Sequence, residues 1–150
     1  MLELEVRNVI DKSVLCWLAT TDASQTPNVS PKEVFTYWGD DRLIIANIAS
    51  PGSVRNIRAN PSVCVSFIDV LVQKGFKVKG KAAIVRSGQE GYQAIQAELE
   101  KLTGGKYPFS EVIVIRVESI EAIVAPSYKL FPELSEEERI EQAKRQYGLK

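Results

Sequence analysis

Short turns between β-rich runs limit what this chain can become. Residues 14–21, Val-Leu-Cys-Trp-Leu-Ala-Thr-Thr, run into the turn residues Asp22-Ala23-Ser24-Gln25. Residues 28–38 end at Gly39-Asp40-Asp41, and the apolar run 42–48 begins directly afterwards. Turns this short join antiparallel neighbours, whereas a parallel pair needs a crossover of about a dozen residues or more. Repeated βαβ units therefore fit poorly, and a small closed antiparallel barrel fits well.

The remaining segments extend the pattern. Leu2, Val6, Val9 and Ile10 fall at i, i+4, i+7 and i+8, one face of a helix. Within 28–38, Pro31 marks an edge or bulge where a side chain can be re-aimed. Val63, Val65 and Phe67 alternate with Cys64, Ser66 and Ile68 as a two-sided strand. Residues 75–85 alternate most cleanly, with Phe76, Val78, Gly80, Ala82 and Ile84 on one face and Lys77, Lys79 and Lys81 on the other. Residues 89–102 predict a helix with Tyr92, Ile95, Leu99 and Leu102 on its apolar face, closed by Thr103-Gly104-Gly105. Residues 112–124 read as a last long strand. Beyond them Pro126 and Pro132 bracket an irregular tail, and Ser135 with Glu138 forms a capping box ahead of a final helix. That helix carries few apolar residues (Ile140, Ala143, Tyr147), so it packs weakly or docks on a partner chain. The pattern predicts six strands, with helices after the third and the fifth.

The junction after the third strand carries the clearest local signal. Ser50 followed by Pro51 reads as N-cap and first helical residue, and Asn60-Pro61 stops the helix. Val54 and Ile57, three apart, pin it to the domain and leave its polar start free. Exposed N–H groups and the positive dipole end of such a helix suit an anion, above all a phosphate. The same residues also read as an ordinary capped linker helix.

Composition removes whole classes of function. The 150 residues suit one domain, large enough to bury about two-thirds of its unfolded surface unaided. Lys plus Arg and Asp plus Glu both number 19, so formal net charge is zero, which argues against a whole-domain nucleic-acid or membrane-surface binder. There is no histidine, which excludes Ser-His-Asp and Cys-His catalysis and histidine-containing metal sites. Cys16 and Cys64, the two cysteines, sit inside apolar runs and read as small hydrophobes, not as metal ligands or a disulfide framework. The N-terminus carries acidic residues without a long apolar core, and no stretch approaches the roughly 20 apolar residues of a membrane span. A cytoplasmic protein is the expectation.

Three polar features could converge. They are the helix start at residues 50–53, the strand residues Asn28-Val29-Ser30-Pro31-Lys32, and the lysines Lys74, Lys77, Lys79 and Lys81. Each also has a plain structural reading: a capped helix, a solvated edge strand and a solvated strand face. No pair of carboxylates bracketed by apolar residues and no Gly-x-x-x-x-Gly-Lys phosphate loop is present, so any catalysis requires a cofactor to carry the hard step.

Leu18-Ala19-Thr20, Pro27-Asn28-Val29-Ser30-Pro31-Lys32, Asn47, the run from Ser53 through Asn60-Pro61, and the alternating residues 75–83 together resemble the pyridoxamine 5′-phosphate oxidase-related, FMN-binding split-barrel family. The resemblance spans residues 5–125. It implies a mainly β fold with flanking helices, a six-stranded antiparallel Greek-key split barrel, assembled as a homodimer with FMN in two symmetric interface sites. It further implies that Asn28, Ser30 and Lys32 together with Ala46 and Asn47 flank the isoalloxazine. By the same likeness Ser50, Ser53, Arg55 and Asn56 take the phosphate, and Lys74, Lys77 and Lys79 complete the site, some from the second subunit. The position of the family's phosphate-binding lysine is Ser53 here, leaving Arg55, Arg58 or another lysine to supply positive charge. The tail, residues 126–150, lacks the Trp that serves flavin in the authentic oxidase, which weighs against pyridoxamine phosphate as substrate. The expectation is therefore an FMN-dependent oxidoreductase without a catalytic side chain of its own. A flavin, deazaflavin or haem storage or sensor module is the alternative.

Overall fold

A computed structural model describes residues 1–150. The chain begins with helix α1 (Leu4–Lys12), strands β1 (Cys16–Thr21), β2 (Pro27–Lys32), β3 (Phe35–Trp38) and β4 (Arg42–Ala46), and helix α2 (Pro51–Ala59). Strands β5 (Ser62–Asp69) and β6 (Lys74–Arg86), helix α3 (Tyr92–Thr103) and strand β7 (Glu111–Val124) follow. The tail carries α4 (Ser127–Leu130) and α5 (Glu136–Tyr147). All strands join one antiparallel sheet in the order β2-β1-β5-β6-β7-β4-β3, curled into a half-barrel with flanking helices.

The strand count is seven, not six, because residues 28–38 do not form one strand. The run breaks at Glu33-Val34: β2 pairs with β1 at one edge of the sheet, and β3 pairs with β4 at the other. Two halves of one sequence run thus supply both edges, and the short link between them draws the sheet into its curl. Pro31 lies in the edge strand β2 opposite Trp17, where a missing N–H leaves no ladder bond unmade.

The curl encloses one apolar core and carries a second on its outside. Leu18, Leu43, Ile45, Val65, Phe67, Val78 and Ile115 fill the inside, closed by Leu2, Val6 and Ile10 of the N-terminal segment and Ile57 of α2. Ile44, Ala46 and Val112 face outward, where Tyr92, Ile95 and Leu99 of α3 cover them. Strand β4 is therefore buried on both faces, which is why Leu43-Ile44-Ile45-Ala46 shows no polar alternation. Leu102, expected on the apolar face of α3, is exposed, and the helix begins at Tyr92 instead of residue 89. Gly104 closes α3 in the left-handed conformation at φ 60°, as its position promised. Ser135 and Glu138 form the capping box of α5.

Gly80 marks an irregularity in the β6–β7 ladder, where the register shifts between Lys79 and Gly80. A Cβ there would lie 2.2 Å from the carbonyl oxygen of Arg116, so only glycine lets the two strands meet.

Candidate functional site

Strand β2 directs its even-numbered side chains to the same face as their partners on β1. Asn28 lies opposite Thr20, Ser30 opposite Leu18 and Lys32 opposite Cys16, and all three β1 residues are buried. The three polar side chains thus form a row about 13 Å long at four residues of strand rise. Helix α2 lies across β1 and β6 and meets the Thr20 end of that row. There Asn56 Nδ2 donates to Thr20 Oγ1 at 3.0 Å, both groups buried. Ser53, one turn earlier on the same helix face, is 2% exposed. At the other end, Lys32 and Ala46 line a cavity of about 260 Å³ with Pro31, Glu33, Val34, Ile48 and Tyr107.

Unmet hydrogen-bonding capacity falls at one end of this row and at two other expected residues. Four buried side-chain polar atoms lack a partner: Lys32 Nζ, Asn47 Oδ1, Ser53 Oγ and Arg139 Nε. The first three belong to residues expected at the site. Such groups are rare in native proteins because each costs about 1–3 kcal/mol, more when charged. Burial pushes the Lys32 ammonium below its ordinary pKa of 10.5, against an opposing pull from Cys16. Burial likewise drives the Cys16 thiol up to about 12, against the nearby Lys32 charge, so Cys16 is a neutral core group. Arg55, exposed on α2, makes no ion pair.

Two local arrangements differ from the sequence reading. Ser50 occupies the N-cap position of α2, but its side chain accepts no helix N–H; its backbone, at φ −124° and ψ 67°, is not the extended form in which a serine cap reaches back. The lysines are not one ladder. Lys77 and Lys79 share Glu121 at 2.9 and 3.2 Å on the outer sheet face, holding that carboxyl below its ordinary range. Lys74 sits at an even position of β6 and turns to the tail, 3.4 Å from Glu136 and over the Tyr128 ring. Within this chain, none of the three joins the row on β2.

Three residues absent from the expected set contribute. Thr20 holds α2 against β1. Tyr107 walls the cavity. Glu111 accepts from Arg86 Nε at 2.9 Å, Asn47 Nδ2 at 3.3 Å and Arg58 Nη2 at 3.4 Å, fixing the amide whose oxygen stays free. Thr20 lay inside the Leu18-Ala19-Thr20 run, so its hydroxyl was a visible signal. Glu111 and Tyr107 offered none, since nothing local says which strand end a lone acid or aromatic will meet. A roomier groove of about 350 Å³ runs past Arg58, Ala82, Ala83, Ile84 and Arg86. Its two arginines are paired with Glu111, and it contains no orphaned polar atom. The smaller cavity, walled by the buried and unpartnered Lys32, is therefore the candidate site; Asn47, Ser53 and Arg55 lie outside its lining.

Among solved structures, HupZ of Group A Streptococcus is 28% identical, with a TM-score of 0.69 over 80% of this chain and 92% of its own. An FMN-binding protein of Syntrophomonas wolfei shares 18% identity and a TM-score of 0.64, over 80% and 84% of the two chains. HutZ, the haem storage protein of Vibrio cholerae, shares 20% identity and a TM-score of 0.64, over 82% and 94%. No curated protein sequence matches significantly. Residues 2–124 match the family described as pyridoxamine 5′-phosphate oxidase, about four-fifths of the sequence, and the chain belongs to that family.

Proposed function

We propose that this protein binds FMN in the cleft along β2 and α2 and acts as an oxidoreductase, as a cytoplasmic homodimer with one flavin site at each end of the subunit interface. The observation that carries this reading is the coincidence of three orphaned buried polar atoms, on Lys32, Asn47 and Ser53, with the residues expected to meet flavin. A ligand bearing carbonyls, a ring N–H and a phosphate would satisfy all three. Ser53, Arg55 and the start of α2 would hold the phosphate. Asn47, its Nδ2 anchored by Glu111, would present Oδ1 as an acceptor; Lys32, in the cavity wall, would supply a donor and a positive charge. When bound, flavin relays two electrons between a donor and a substrate. A buried cation beside the ring favours its anionic reduced form and so raises its potential.

Haem suits these residues less. Proteins hold haem iron through His, Cys, Met or Tyr; this chain has no His, Cys16 is buried with a thiol pushed up to about 12, and the cavity lining supplies Tyr107 alone of these types. Pyridoxamine phosphate also fits poorly as substrate, because the tail beyond residue 124 lacks Trp and lies outside the matched family segment.

Titration of the purified protein with FMN tests the proposal. Expected are quenching of flavin fluorescence at micromolar concentrations and a stabilisation of about 2.7 kcal/mol at a hundredfold excess over Kd. No uptake and no thermal shift would refute it. NAD(P)H oxidation by the flavin-loaded protein separates an enzyme from a storage module, and mass in solution tests the dimer.

A further inference from the structure

The fourth orphaned atom lies far along the chain from this cleft. Arg139 of α5 is 8% exposed and makes no ion pair. Its guanidinium stacks 4.0 Å from the centroid of the Tyr128 ring. Nη1 donates to Ser127 Oγ at 3.1 Å and Nη2 to the Phe131 carbonyl at 2.6 Å, leaving Nε buried and unmet. A buried cation whose partners are all neutral is costly, and proteins ordinarily compensate it with an anion.

No carboxylate of the surrounding elements pairs with Arg139. Asp69 accepts from the Leu71 N–H, Glu136 pairs with Lys74, and Glu138 accepts from the Ser135 N–H. Beside Arg139 opens a cavity of about 130 Å³ between α5 and the turn joining β5 to β6. Gln142 and Gln146 of α5 and Gln73 of the turn line it, and buried Ala143 leaves room at its floor. Arg139, Gln142, Ala143 and Gln146 follow at i, i+3, i+4 and i+7, one helix face.

We propose that this cavity is a binding site for a small oxyanion, a carboxylate or a phosphate group, held by the Arg139 guanidinium and the glutamine amides. A cation with a free in-plane donor, flanked by neutral amide donors and a hydroxyl, matches an anion with two or more oxygens. The volume admits such a group with a short substituent, not a nucleotide. Nothing in this assignment depends on flavin binding at the β2 cleft.

The test is a titration of the full-length protein with sodium acetate and, separately, inorganic phosphate, at constant ionic strength against chloride. The readout is the NMR signal of the Arg139 Nε–H, assigned with Arg139→Lys. A saturable millimolar shift is expected, weakened about tenfold in Gln142→Leu/Gln146→Leu, whose positions are exposed and leave the fold intact. A response to both anions assigns a general oxyanion site, to acetate alone a carboxylate site, and to phosphate alone a phosphate site. An Arg139 signal unmoved by either, or a shift unchanged in the double variant, would overturn the proposal. Phosphate bound only near Ser53 would leave this signal still and so count against this site alone.

Discussion

Replacing Lys32 with methionine separates a binding cleft from a merely imperfect core. The Lys32 ammonium is 4% exposed and lacks any hydrogen-bond partner. A buried charged donor left unmet costs the free protein about 1–3 kcal/mol or more, and methionine keeps the apolar stem while removing the charge. Ligand-free Lys32→Met is therefore expected to be more stable by about 1–3 kcal/mol, a rise in Tm of about 2–12 °C for a domain of this size. Flavin affinity should move the other way. Loss of one charge-assisted hydrogen bond, about 1.5–3 kcal/mol, weakens Kd by about 10- to 150-fold. The pH dependence gives a third signature. Burial lowers the pKa of Lys32 from 10.5, so in the window below that value the unfolded chain holds more protons than the folded one. Stability of the free wild type gains from this group as pH rises through that window, and the gain is absent in Lys32→Met. Urea unfolding of the two proteins at pH 7 and pH 10, with fluorescence titration of FMN, measures all three effects. A variant that unfolds earlier than wild type yet takes up FMN equally well would refute the reasoning.

Two further outcomes follow from buried groups. The folded Cys16 thiol keeps its proton up to about 12 while the unfolded chain releases it near 9.0, so this group costs stability as pH climbs between those values; Cys16→Ala should lower the neutral-pH plateau by about 1 kcal/mol but flatten that alkaline decline in urea midpoints. Gly80→Ala would place a Cβ 2.2 Å from the Arg116 carbonyl oxygen, and it should cost more than about 3 kcal/mol by thermal melting, whereas Gly52→Ala, whose nearest atom lies at 3.9 Å, should leave Tm within a few degrees.

Much of the fold was legible because its signals are local. Period two over residues 75–85 located β6, the capping box at Ser135 and Glu138 located α5, and Gly104 ended α3, each through interactions within a few residues. The break of 28–38 into two strands was not legible. Its residues are β formers throughout, and only pairing with β1 at one edge and β4 at the other shows where one strand stops. Of the proposed site, Lys32, Asn47 and Ser53 could be named from the chain, but their burial without partners is a property of packing.

The sequence by itself determined an antiparallel β architecture, through turns too short for crossovers, and a chemistry without histidine. Tertiary structure alone decided which charges are spent. Glu111, at the start of β7, collects Arg86, Arg58 and Asn47, while Glu121 and Glu136 draw Lys77, Lys79 and Lys74 away from the β2 cleft. Helix and strand periodicity arise from neighbours a few residues apart, whereas hydrogen bonding between residues separated by 64 positions, as for Asn47 and Glu111, depends on which surfaces the curled sheet brings together.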